Sequence, residues 1–80
     1  MALKEYRKKT TIKAEQFDDS DAMVRKYNLV KLDPYPGSAM MPTWEGPVVV
    51  NEGDWIATDD DGEHWCIADS VFRRTYEEVK

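Results

Sequence analysis

The chain has 80 residues, with 11 Lys and Arg against 16 Asp and Glu, for a formal charge of −5. A chain this short buries only about 60% of its unfolded surface, so residues 1–80 are expected to form one domain with a thin core. Three Trp, four Tyr and two Phe in a 41% apolar composition exclude a disordered tail. The single cysteine, Cys66, excludes an intramolecular disulfide and points to a reducing, cytoplasmic setting. Residues 1–9 are charged with no apolar run behind them, so neither a signal peptide nor a membrane anchor is expected. Nor does any stretch approach the roughly 20 apolar residues of a bilayer span.

The charge is unevenly divided. Residues 1–40 carry eight basic and six acidic side chains, and residues 41–80 carry three basic and ten acidic ones. An acidic half argues against direct nucleic-acid binding, which needs Lys and Arg for phosphates, and favours a basic protein partner.

In chain order, Thr11 to Phe17 alternates apolar and polar residues and predicts a strand. Asp18-Asp19-Ser20-Asp21 then predicts a helix start, with Ser20 or Asp19 as cap and acidic groups at the positive end of the dipole. Ala22, Met23, Lys26 and Tyr27 continue a short helix, and Asn28 stops it. Pro34 and Pro36 make residues 29–37 irregular. Strands are expected around 40–44 and 48–50, with Glu45-Gly46-Pro47 as the turn. Two β-rich runs, 55–58 and 64–67, flank Asp59-Asp60-Asp61-Gly62-Glu63 and predict a hairpin. The expected pairing puts Ile56, Trp65 and Ile67 on one face and Trp55, Ala57 and Cys66 on the other. Asp69-Ser70 is expected to cap one helical turn before a last strand at 75–77. The fold class is α+β: a small antiparallel sheet of about four strands with one or two short helices.

Tyr6-Arg7-Lys8-Lys9, followed by Ile12-x-Ala14-x-Gln16-Phe17, resembles the opening of a family of small phage and prophage proteins. Gly53-Asp54-Trp55-Ile56 is similar to that family's Pro-Gly-Asp-Trp-Ile turn and strand. Gly62-Glu63, Trp65, Cys66, Phe72 and Thr75-Tyr76-Glu77 resemble its ending. About half the chain is covered. Thr10, Phe17 and Glu52 depart from the family's Pro, Trp and Pro, and residues 18–43 have no counterpart. The resemblance implies an accessory phage gene, a group that includes anti-CRISPR and anti-restriction inhibitors.

The remaining motifs favour binding over catalysis. Aligning Gly62 with the sixth position of an EF-hand loop puts Ala57 and Ala68 where oxygen ligands are required, so residues 59–63 read as a solvated acidic tip. His64 and Cys66 share a strand face but have no readable orienting group, and two ligands are too few for structural zinc. Trp44, Trp55 and Trp65 read mainly as core, and Arg7-Lys8-Lys9 as a protected strand edge. No enzyme motif, metal site or cofactor is expected.

The expectation is therefore an acidic phage-encoded inhibitor of a basic host surface, such as a CRISPR effector subunit. Asp59, Asp60, Asp61 and Glu63 would supply the contact, with Asp18, Asp19 and Asp21 as secondary contributors. The alternative is an accessory protein-interaction module that uses an apolar patch around Trp44 and the Pro34–Pro36 segment.

Overall fold

A computed structural model describes residues 2–7 and 11–79. These described residues form two antiparallel three-stranded sheets and two helices, an α+β fold with six strands where about four were expected. The elements are β1 (Lys13–Gln16), α1 (Asp21–Lys26), β2 (Val30–Lys31), β3 (Ser38–Met41), β4 (Val48–Asn51), β5 (Trp55–Thr58), β6 (His64–Ile67) and α2 (Asp69–Thr75). The first sheet has the order β1-β5-β6 and the second β2-β3-β4. Of the strand edge expected at Arg7-Lys8-Lys9, Arg7 is exposed and belongs to no strand, and Lys8 and Lys9 lie outside the described residues.

Local chemistry explains the boundaries of α1. The Ser20 hydroxyl accepts from the Met23 amide at 3.3 Å, satisfying one of the unpaired donors at the helix start. At the other end, Asn28 takes φ 56° and its amide donates to the Arg25 carbonyl, while Leu29 N–H donates to Val24. This pair of bonds is a Schellman stop, in which Asn tolerates the left-handed conformation and the next apolar residue folds back on the helix. Leu29 is accordingly buried.

The core lies between the sheets. Phe17, Met41, Val50, Ile56 and Ala39 are almost wholly excluded from solvent, joined by Met23, Tyr27 and Leu29 from α1 and its exit. Ala39 pairs with Val50 and Met41 with Val48; Ala39, Met41 and Val50 are buried, while Met40 and Val49, on the alternate positions, face outward.

The register of the first sheet corrects the expected hairpin parity. Ile56 pairs with Cys66 and Thr58 with His64, while Trp55 pairs with Ile67 and Ala57 with Trp65. Directly paired residues share a face, so Trp55 and Trp65 lie on the same side. The expected arrangement is shifted by one residue, and in a strand a one-residue slip exchanges the two faces. α2 packs on this face at Trp55, which stacks on Phe72 with ring centroids 4.0 Å apart. Phe72 stacks in turn on Tyr76 at 5.3 Å. This contact occupies the segment expected to be a last strand: α2 extends to Thr75 and Tyr76 is its cap. Residues four apart meet on one helix face, which favours the helix over a strand here.

Candidate partner-binding surface

The acidic hairpin is built by Asp59. The Asp59 amide donates to the Glu63 carbonyl, and the Asp59 carbonyl accepts from Gly62, both at 3.1 Å. Its Oδ1 also accepts from the amides of Asp61 at 2.9 Å and Glu63 at 3.1 Å. Gly62 has φ 87°, a conformation in which a side chain would be strained. Asp59 is thus committed to the turn. The carboxylates of Asp60 and Asp61 are exposed and make no hydrogen bond or ion pair among the described residues.

The other acidic group does not join them. β1 is antiparallel to β5, with Lys13 opposite Thr58 beside the tip and Gln16 opposite Trp55 at the far end. Asp18, Asp19 and Asp21 follow Gln16 and therefore lie off the opposite end of the sheet, beyond strands that span roughly 13 Å at about 3.3 Å per residue. Their roles are local. Asp18 Oδ1 accepts from the Ser20 amide at 3.0 Å, and its hydrogen bonds with Ser20 lower the carboxyl pKa. Asp19 takes φ 61° and faces Lys31 Nζ at 3.5 Å. Asp21 is exposed in the first turn of α1.

What does stand beside the tip is the β3–β4 turn. A cleft of about 300 Å³ is lined by Thr43, Glu45 and Val48 on one side and by Glu63, His64, Trp65 and Cys66 on the other. The turn is held by Thr43, whose hydroxyl donates to the Gly46 carbonyl and accepts from the Glu45 amide. At its apex Trp44 is 68% exposed, correcting the expectation that it belongs to the core. Composition shows three tryptophans but not which of them sits on a turn. Tyr35 belongs to the β2–β3 connection at the other end of the second sheet, so the expected single patch of Trp44 with Pro34–Pro36 is divided. Between the two ends, Val30, Met40 and Val49 form a direct cross-strand row on the outer face, with Val30 65% exposed.

The chain matches no family model, no curated protein and no solved structure. The remaining chemistry is therefore judged from geometry. Cys66 Sγ donates to Asp54 Oδ2 at 3.5 Å, and burial first, then the Asp54 charge, push the thiol pKa up to about 12. That is the reverse of the thiolate a nucleophile needs. His64 Nδ1 is bonded instead to the Thr58 hydroxyl at 2.7 Å, so His64 and Cys66 have separate partners although they share a face. Among the described residues no three His, Cys, Asp or Glu side chains gather as metal ligands, and no helix is long and apolar enough to cross a membrane.

Proposed function

We propose that the protein is a binding module whose tip end docks on a basic protein surface, with Trp44 as the apolar anchor. One observation carries this reading. The free carboxylates of Asp60 and Asp61 project from the hairpin, and Glu63 and Glu45 line the cleft that joins it to the exposed Trp44 turn. Carboxylates steer a basic partner and set orientation, while a tryptophan supplies a large desolvated contact. The phage-like motifs at both ends of the chain extend the proposal: the protein inhibits a host defence complex, of CRISPR or restriction type, by occupying Lys and Arg otherwise used for phosphate. The contributions of Asp18, Asp19 and Asp21 are secondary, because their end of the sheet faces away from the tip.

The row of Val30, Met40 and Val49 favours a second reading, an accessory interaction module without inhibitory activity that docks through this apolar face. Capture from bacterial lysate with four forms separates the two. Under the first reading Asp60→Lys/Asp61→Lys and Trp44→Ala each lose the partner held by wild type, and Val49→Lys keeps it. If only Val49→Lys loses it, the second reading replaces the first. Asp59 is left intact because its substitution would open the turn.

A further inference from the structure

A second concavity lies under the C-terminal end of α1. Lys13, Thr58 and His64 are direct partners across three adjacent strands, Lys13 with Thr58 and Thr58 with His64, so they form one polar row on a single face. Lys26 and Tyr27 approach the row from the helix, and with Ala14 and Glu15 these residues line a cleft of about 410 Å³. The one carboxylate in it is already occupied. Glu15 Oε1 accepts from Tyr27 at 2.6 Å and pairs with Lys26 at 2.8 Å. Lys13 has no ion-pair or hydrogen-bond partner among the described residues.

The Thr58–His64 pair keeps at least one donor unused by its own bond in every protonation state. With neutral imidazole the 2.7 Å bond consumes one proton. Either Thr58 donates to Nδ1 and Nε2–H remains, or Nδ1–H donates to Thr58 and the hydroxyl proton remains. With imidazolium both donors are present. The row therefore presents an ammonium group and an imidazole–hydroxyl donor pair, and Lys26, one of whose three donors is taken by Glu15, brings a second ammonium from the helix. Donors converging from two sides suit the three oxygens of a tetrahedral anion, and a lysine ammonium binds phosphate as a point charge.

We propose that this cleft binds a phosphate monoester. Its volume falls within the range of small-molecule sites and leaves room for the group that carries the phosphate. The site adjoins the partner-binding end, since His64 lines both clefts, but none of Asp60, Asp61 and Trp44 lines it, so either proposal can fail alone.

His64 is the single histidine, so its imidazole resonances in the NMR spectrum of the full chain are an unambiguous reporter. The probes are inorganic phosphate, glycerol phosphate and a phosphoserine peptide, with sodium acetate at matched ionic strength as the comparison. Saturable shifts are expected with all three phosphates, the tighter of the last two identifying the source as small molecule or phosphorylated side chain. Lys13→Gln and Thr58→Val are each expected to weaken binding about tenfold, near 1.4 kcal/mol. The exposed Lys13 carries the test if Thr58→Val proves unstable. An equal response to acetate, a response to inorganic phosphate alone, or shifts unchanged in Lys13→Gln would overturn the assignment.

Discussion

Asp59 and Asp60 are adjacent, of the same type, and differ in what they do. Asp59 Oδ1 satisfies two backbone amides of the turn, whereas Asp60 meets only solvent among the described residues. Asp59→Ala is expected to cost about 1 kcal/mol in urea denaturation, the usual cost of losing such a capping acceptor, and Asp60→Ala less than about 0.5 kcal/mol. The acidic run was legible in the sequence, but which carboxylate closes the turn was not, because that depends on backbone geometry. The Ser20 cap and the Asn28 stop were legible, since both act through bonds only a few residues away. Glu15 gives a pH signature. Hydrogen bonding from Lys26 first, then Tyr27, holds its carboxyl below the usual range despite some burial. A depressed folded-state pKa contributes stability above the unfolded pKa and loses it as pH falls through the folded one. The Tm difference between wild type and Glu15→Gln should therefore be largest near neutrality and shrink below about pH 4. Cys66, its thiol pKa pushed up to about 12, should react with iodoacetamide at pH 8 far more slowly in the folded chain than in denaturant.

At the scale of elements, α2 depends on a few contacts to two strands, Gln16 of β1 donating to Asp69 at 3.3 Å beside the bonds from β5. Asp69 Oδ1 accepts from Trp55 Nε1 at 2.8 Å and from Arg73 Nε at 2.9 Å, and the Trp55–Phe72–Tyr76 stack lies alongside. Those bonds hold the Asp69 carboxyl below its ordinary pKa, with the Trp55 hydrogen bond the largest cause. Phe72→Ala removes the middle ring and should release the helix, seen as a red shift of tryptophan emission. The destabilisation should approach the lower end of the roughly 3–5 kcal/mol for a truncated aromatic, because Phe72 is only half-buried. The hairpin itself was readable from Asp-Gly between β-rich runs, but the register was not. Five residues of connection leave the pairing undetermined by one position, and that one position moved Trp65 and Ile67 to the side of Trp55. The two-residue β2 was hidden for a related reason: Val30–Lys31 is held by pairing with Met40 and Ala39 across the irregular Pro34–Pro36 connection, and two residues are too few to show an alternation of their own.

For the whole molecule, the fold places the two acidic groups expected at the contact, 18–21 and 59–63, at opposite ends and gives only one of them an exposed tryptophan. Total charge could not reveal this, since it counts Asp18 and Asp60 alike, and only the antiparallel course of β1 against β5 separates them. The α+β class was legible from the alternation of strand and helix signals, while the division into two sheets arises from which strands find one another. A docking surface built from Asp60, Asp61, Glu63 and Glu45 around Trp44 should bind through charge and apolar contact together. The direct test is the affinity of the purified, captured partner measured between about 50 and 500 mM salt, a range over which exposed charges become strongly screened. Wild type should weaken steeply with salt, Asp60→Lys/Asp61→Lys should bind poorly with little salt dependence, and Trp44→Ala should bind poorly while keeping the slope. Wild-type affinity that is flat across salt and unchanged in the charge-reversed protein would contradict the account.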